Sequence, residues 1–166
     1  MDGNDNGLGI GGPCGPPSPL TIRTLAWQDV ARLVRMDERA TGRNRRTWYE
    51  GKLKRALDES DLKISLGAEV DGTLVGAVLG TLHYGEFGLP EPVAVLDTIL
   101  VDGDFRGRGI ATAMLDQLVK NLEALGIEQV RTEVAWNDRE LVGFLGKNGF
   151  GPAKRLVLER SLKESG

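Results

Sequence analysis

The sequence predicts an α/β protein in which helices cover both faces of a mixed β-sheet. Residues 93–101 form a nearly continuous apolar run rich in β-branched residues, which is typical of a central strand covered on both faces. Residues 110–125 place apolar side chains at helical spacing along one face. Asp71 and Gly72 separate two further apolar runs and predict a two-residue hairpin turn. Together these patterns indicate a sheet with one long helix packed against it.

The predicted elements follow the order strand, two helices, three strands, helix, strand, helix and two strands. Their ranges are 20–25, 27–39, 47–57, 62–70, 73–83, 93–101, 110–125, 129–135, 137 or 138 to 145, and, for the two closing strands, Phe150 with 155–162. The alternation of strands and helices along the chain predicts a layered arrangement.

Composition predicts one domain, residues 20–166, after a Gly/Pro-rich tail, residues 1–19, that we expect to be disordered. The formal charge of −3 gives no general attraction to nucleic acid. A single cysteine, Cys14, excludes an internal disulfide framework, and its place in the tail argues against a catalytic role. No apolar run is long enough for a membrane span. We therefore expect a cytoplasmic protein without membrane or nucleic-acid partners, either a monomer or a homodimer.

A turn rich in glycine and arginine links the central strand to the long helix. Its sequence is Arg-Gly-Arg-Gly-Ile-Ala, residues 106–111. The glycines allow close approach of the backbone, the arginines supply positive charge, and the helix N-terminus adds unpaired amides. This combination predicts a site for a phosphate or pyrophosphate. A dinucleotide fold or a phosphate-loop nucleotidase would need other glycine spacings, which the chain lacks.

The turn fits the pattern Arg/Gln-x-x-Gly-x-Gly/Ala, and residues 96–102, 136–137 and 144–150 look like further segments of the same family. Over roughly residues 20–162 the chain resembles the GNAT superfamily, the CoA-dependent N-acyltransferases. The resemblance implies a three-layer α/β/α fold with a mostly antiparallel sheet splayed between its fourth and fifth strands. It also implies acetyl-CoA as acyl donor, no metal, and direct attack by a primary amine in a ternary complex. The amine could belong to a protein lysine, a protein N-terminus or a small molecule.

The resemblance also assigns cofactor contacts to the central strand, the turn and the segment after the fifth strand. The expected cofactor-binding residues are Ile99, Leu100, Val101, Arg106, Gly107, Arg108, Gly109, Ile110, Ala111, Thr112 and Asn137. The chain departs from the family at Leu145, where many members carry a tyrosine that protonates the departing thiolate.

Three residues are candidates for accepting the proton of the amine. Asp97 interrupts the apolar strand and would share a face with Val95 and Ile99 if the strand were regular, so we expect a buried carboxylate. The alternative is a carboxylate that pins a bulge or backbone amides. Glu133 could face the same cleft, and His83 is the only histidine of the chain. A surface histidine at a strand end is the alternative for His83.

Four charged residues are candidates for acceptor binding. Arg43, Arg45 and Arg46 form a basic patch between the first two helices that could select an acidic acceptor or contact the phosphates of the cofactor. A solvated basic loop is the alternative. Glu86 lies in the loop that the resemblance places near the acceptor. The missing tyrosine favours a second function, a non-catalytic acyl-CoA-binding sensor or regulatory domain.

Overall fold

The computed structural model describes residues 19–58, 64–85, 88 and 90–162. In chain order the elements are β1 (Leu20–Thr24), α1 (Val30–Thr41), α2 (Arg46–Asp58), β2 (Leu66–Val70), β3 (Thr73–His83), β4 (Val93–Val101), α3 (Ile110–Ala124), β5 (Gln129–Thr132) and α4 (Arg139–Lys147). Single 3-10 turns, Trp27–Asp29 and Gly103–Phe105, precede α1 and follow β4.

The five strands form one sheet in the order β1-β2-β3-β4-β5. The first three pairings are antiparallel, and β4 pairs with β5 in parallel. The parallel ladder runs only from Val93↔Gln129 to Leu96↔Thr132, although β4 continues to Val101. The prediction of a mixed, mostly antiparallel sheet that splays between its fourth and fifth strands is confirmed.

Each face of the sheet carries its own hydrophobic core. On one face Met114 and Leu118 of α3 pack against Leu96 of the sheet. On the other face α1 and α2 pack against Leu79 and Leu100. The three-layer arrangement predicted from the sequence is therefore confirmed.

Gly76 on β3 sets the distance between the sheet and α3. A Cβ at this position would lie 2.9 Å from Met114 Cε and 3.0 Å from Ile110 Cγ2, so a larger residue would push the helix away. Because Ile110 is the first residue of α3, the absence of a side chain at Gly76 lets the helix N-terminus lie close to the sheet.

The two predicted closing strands are wrong. The described residues 149–162 contain no strand, and Leu156, Val157, Leu158 and Leu162 are exposed. Alternating apolar residues give a segment strand propensity, but a strand also needs a neighbouring strand, and this segment pairs with no strand among the described residues. The fifth strand also ends at Thr132 rather than at residue 135.

The predicted disordered tail covers residues 1–19, of which residues 1–18 lie outside the described part of the chain, so the division into tail and domain stays a prediction. Within the described ranges, no helix has both the length and the apolar character needed to cross a membrane.

Candidate active site

A cleft opens beside β4 beyond the point where β5 leaves it, with a volume of about 490 Å³. Its walls come from the end of β4, the glycine–arginine turn, the first turn of α3 and the start of α4. The lining residues are Ile99, Val101, Phe105, Arg106, Gly107, Gly109, Ile110, Ala111, Thr112, Asp138, Glu140, Leu141 and Phe144. The cleft thus brings together all the predicted cofactor-binding residues except Leu100, Arg108 and Asn137.

The turn presents backbone amides to one end of the cleft. Gly107 and Gly109 adopt φ values of 73° and 75°, a left-handed conformation that glycine adopts without strain. Gly109 is the N-cap of α3, and no side chain caps the helix. The first amides of the helix therefore point out of its N-terminus together with the positive end of its dipole, as an anion site requires.

The two arginines of the turn have different surroundings. Arg106 lines the cleft, and its Nε donates a long hydrogen bond of 3.5 Å to the carbonyl of Val101. The guanidinium of Arg108 instead donates to the carbonyl of Asp104 at 3.0 Å and lies over the ring of Phe105. Of the two side chains, Arg106 is the one that lines the cleft.

The outer edge of β4 is open along the cleft, because β5 pairs only with its first four residues. Ile99 and Val101 direct their side chains into the cleft lining. Leu100 is 8 % exposed and belongs to the core beneath α1 and α2, so only its backbone could contact a cofactor.

Asp97 lies in a β-bulge and is exposed, so the expectation of a buried carboxylate in a regular strand is wrong. Leu79 pairs with Thr98 and Gly80 pairs with Leu96, which leaves Asp97 without a partner in the ladder. Accordingly, 27 % of its side-chain surface is accessible. Its Oδ1 accepts a 2.8 Å hydrogen bond from Thr98 Oγ1, and its Oδ2 forms an ion pair with Lys52 Nζ. The residue marks a bulge, as the alternative interpretation of Asp97 held, but its carboxylate accepts from the side chains of Thr98 and Lys52 and, among the described residues, from no backbone amide.

Glu133 and Asp97 follow the last paired residues of β5 and β4, Thr132 and Leu96. Both carboxylates therefore come from the position where the two strands part, and Glu133 is exposed. The structure brings these two candidates to one place.

His83 lies elsewhere. It is the last residue of β3, three residues beyond the Gly80 that pairs beside the bulge, which corresponds to roughly 10 Å along a strand. Its Nε2 is 3.0 Å from Thr81 Oγ1. The structure does not group His83 with Asp97.

Among the predicted acceptor-binding arginines, Arg45 is held by the protein itself. Its guanidinium forms two hydrogen bonds to Asp37, one of 2.8 Å from Nε to Oδ2, and this carboxylate raises the pKa of Arg45. It also lies over the ring of Trp48, 5.0 Å from the centroid. Arg43 and Arg46 are exposed, and Arg46 reaches Glu50 at 3.5 Å. Glu86 lies outside the described residues.

The start of α4 shows which predicted cap is used. Asp138 Oδ1 accepts from the amide of Leu141 at 3.0 Å and lines the cleft, whereas Asn137 is exposed and its carbonyl accepts from the amide of Arg139. Leu145, at the position of the family's tyrosine, is 3 % exposed and packed into the core of the α3 face.

Sequence reasoning missed the ion-pair network that anchors the turn. Asp102, whose side chain is 1 % exposed, directly follows β4 and accepts a 2.7 Å hydrogen bond from Arg32 of α1. Its Oδ1 also accepts from the amide of Asp104 at 3.0 Å, and Arg39 lies 3.3 Å away. The missed signal was an aspartate directly after a buried strand and before a glycine-rich turn, which is a typical capping position.

Lys52 was also missed. It stands 45 positions before Asp97 in the chain, and nothing in the local pattern of α2 connects the two residues. Among the described residues no cluster of histidine, cysteine, aspartate and glutamate is suited to hold a metal ion.

Comparison with known proteins places this geometry in context. A sequence model of the family described as acetyltransferase (GNAT) matches residues 27–150. The aminoglycoside N-acetyltransferase AAC(6')-Iy, solved in complex with CoA, has a similar fold, with a TM-score of 0.74 and 17 % identity over 90 % of this chain and 99 % of that chain.

Two further solved structures are similar in the same way. The ribosomal-protein-alanine N-acetyltransferase of Brucella melitensis biovar Abortus gives a TM-score of 0.69 and 22 % identity over 87 % of this chain and 100 % of that chain. The glucosamine-6-phosphate N-acetyltransferase of Arabidopsis thaliana gives a TM-score of 0.68 and 15 % identity over 87 % of this chain and 99 % of that chain. At these identities the similarity concerns the fold.

Proposed function

Because the chain belongs to the acetyltransferase (GNAT) family, we propose that it transfers an acetyl group from acetyl-CoA to a primary amine by direct attack in a ternary complex. The observation that carries this proposal is the cleft beside β4, which joins an open strand edge to an uncapped helix N-terminus. A long thioester with an anionic pyrophosphate matches such a cleft in shape and in charge.

The described residues fit acetyl-CoA in two ways. The amides of residues 107–112, with Arg106 beside them, provide the donors for the pyrophosphate. The unpaired edge of β4 at residues 99–101 provides backbone groups for the amide-containing pantetheine arm, as in the addition of a strand to a sheet. The bound cofactor supplies an acetyl thioester as electrophile.

The proton of the amine would go to Asp97, which lies at the parting of β4 and β5. The amine nitrogen attacks the thioester carbonyl carbon, a C–N bond forms, the C–S bond breaks, and the thiolate leaves with a proton from solvent. Glu133 is a second carboxylate at the same point and can relay the proton to bulk water. His83 is the weaker candidate because it lies three residues along β3 from Gly80, the residue that pairs beside the bulge.

The acceptor would approach from the side of α2, where exposed Arg43 and Arg46 flank the helix N-terminus. These charges favour an amine that carries an acidic group nearby, on a protein or on a small molecule. Arg45 serves instead to hold α1 and α2 together through Asp37.

A second function, an acyl-CoA sensor without catalysis, is favoured by two observations. The position of the usual tyrosine acid holds Leu145, which is buried in the core, and the candidate base Asp97 already forms an ion pair. A sensor would keep the cofactor cleft and would not need either group.

Thiol release from acetyl-CoA, measured against a panel of amines, lysine peptides and peptide N-termini, tests the proposal. We expect amine-dependent release, and Asp97→Asn should lower kcat/KM for the amine by about 100-fold or more while acetyl-CoA binding, measured by calorimetry, stays unchanged. Asp116→Asn, an exposed aspartate on α3, is the matched control and should leave both quantities unchanged. Tight acetyl-CoA binding without transfer to any amine would favour the sensor, and absence of binding would refute both functions.

A further inference from the structure

Lys52 places a primary ammonium group directly on the carboxylate proposed as the base. The lysine lies on α2, and its Nζ forms an ion pair with Asp97 Oδ2 at the bulge of β4. Only 18 % of the lysine side chain is accessible. This ammonium therefore sits where the amine of an acceptor must lose its proton.

An aromatic ring completes the surroundings of this ammonium. The Nζ of Lys52 lies 5.1 Å from the centroid of the Trp48 ring, within the range of a cation–π interaction. A carboxylate on one side and an indole face on the other form a recognised arrangement for binding a primary ammonium ion.

Lys52 is the cation that contacts Asp97 among the described residues. Oδ1 already accepts a hydrogen bond from Thr98, so Oδ2 is the oxygen that faces α2. Arg45, the other cation over Trp48, is fixed by two hydrogen bonds to Asp37 and cannot take the place of Lys52. An acceptor ammonium that approaches Oδ2 from the side of α2 would therefore compete with Lys52 for this oxygen.

We propose that Lys52 Nζ occupies the subsite for the acceptor's primary ammonium group in the free protein, and that the acceptor binds by displacing it from Asp97. This inference rests on the proposed function, because it takes Asp97 as the group that receives the acceptor. The exchange is feasible because ion pairs between partly accessible groups are weak. The measured affinity for the acceptor is then reduced by the fraction of molecules in which Lys52 holds the carboxylate.

Steady-state kinetics of Lys52→Met test the displacement. Methionine keeps a long apolar side chain against Trp48 but removes the charge, so the KM for the amine should fall roughly two- to fivefold while the KM for acetyl-CoA stays unchanged. Lys54→Met, an exposed lysine on the same helix, is the matched control and should change neither. An unchanged or increased amine KM in Lys52→Met, or a loss of kcat, would mean that Lys52 serves the reaction or the fold, and would overturn the proposal.

A binding experiment separates this inference from the catalytic proposal. With Trp27 and Trp136 replaced by phenylalanine, both being exposed residues, the fluorescence of Trp48 reports on the subsite. At constant ionic strength n-butylammonium should bind Lys52→Met roughly two- to fivefold more tightly than the protein with Lys52, and n-butanol should give no signal. Equal affinities, or no response to the ammonium, would refute the subsite. Tighter binding without turnover of any amine would leave the subsite in place and remove the transferase.

Discussion

Asp102 connects α1 to the turn that we assign to the pyrophosphate, and replacing it should reveal how firmly that turn is held. Its carboxylate accepts from Arg32 at 2.7 Å, from Arg39 at 3.3 Å and from the amide of Asp104 at 3.0 Å. Its own amide donates to the carbonyl of Val75 at 2.8 Å, so the residue is also tied to β3. The perturbation that we propose is Asp102→Asn, which keeps an oxygen for the Asp104 amide and removes the charge.

The size of the effect follows from the exposure of the two arginines. Arg32 is 24 % accessible in its side chain, so its charged hydrogen bond is worth about 1.5–3 kcal/mol. Arg39 is 55 % accessible, so solvent screens its ion pair and the pair adds little to stability. Since both arginines can regain water in the variant, Asp102→Asn should lower the free energy of unfolding by about 2–3 kcal/mol. This is less than the ~3–5 kcal/mol for breaking a fully buried pair.

Equilibrium unfolding in urea measures these values, with Arg32→Met and Arg39→Met as companions. Arg32→Met should cost about 3 kcal/mol, because it leaves the buried carboxylate with only the exposed Arg39 and the amide of Asp104 as partners, and Arg39→Met should cost much less. Equal costs for the two arginine variants, or a cost of Asp102→Asn no larger than that of Arg39→Met, would refute the reasoning. The Kd for acetyl-CoA should rise in Asp102→Asn and stay nearly constant in Arg39→Met.

Three further predictions concern stability. Gly80→Ala would bring a Cβ within 2.9 Å of a backbone carbonyl of β4, and it should lower the free energy of unfolding in urea by about 1–3 kcal/mol. Gly51→Ala in α2 meets no atom within 4 Å and should raise the free energy of unfolding by up to about 1 kcal/mol. Equal effects of the two substitutions would contradict this. Burial raises the pKa of Asp29, but the guanidinium of Arg23 and a backbone amide lower it further, so the net pKa lies below the ordinary 3.8. The ion pair therefore stabilises the fold above about pH 4, and this stabilisation is lost as the pH falls through the lowered pKa. Asp29→Asn should lower the free energy of unfolding by about 1.5–3 kcal/mol at pH 7, and the stabilities of variant and wild type should converge in acid. A difference in stability that does not change with pH would argue against the pair. The buried hydroxyl of Tyr49 lies beside Asp37 and Arg45 but makes no hydrogen bond of good geometry among the described residues. Tyr49→Phe should therefore leave the thermal midpoint equal or higher, and a clear drop would show that the contact with Asp37 or Arg45 stabilises the fold.

The fold and the geometry of the glycine–arginine turn could be predicted from the sequence because their signals are local. The apolar run of β4, the glycines at 107 and 109 and the apolar stripe of α3 each lie within one segment. Their consequences, a buried strand, a tight turn and an amphipathic helix, depend little on the rest of the chain.

The geometry around Asp97 could not be predicted because it depends on register. The bulge arises from the way β4 pairs with β3 between Leu79 and Gly80, and a shift of one residue reverses which face a side chain occupies. The pairing with Lys52 depends on how α2 packs over that bulge, which no local pattern encodes.

The prediction of closing strands in the C-terminal segment was wrong for a related reason. Residues 155–162 have the alternation of a strand, but pairing is a property of two segments, and none of the described strands pairs with them. The sequence likewise showed that Leu145 replaces the family's tyrosine, but not that this position belongs to the core.

The division of the molecule by its sheet has a kinetic consequence. The cofactor cleft opens on the side of α3 and α4, whereas Trp48 and Lys52 lie on the side of α2, so the sheet stands between the two routes of entry. In the proposed reaction the routes meet only at the gap between β4 and β5, at Asp97. Neither substrate has to pass through the site of the other, so the architecture imposes no steric order of addition. Any order found in initial-rate or product-inhibition experiments would then have to arise from a change of affinity, such as a shift of α2 when the cleft is filled.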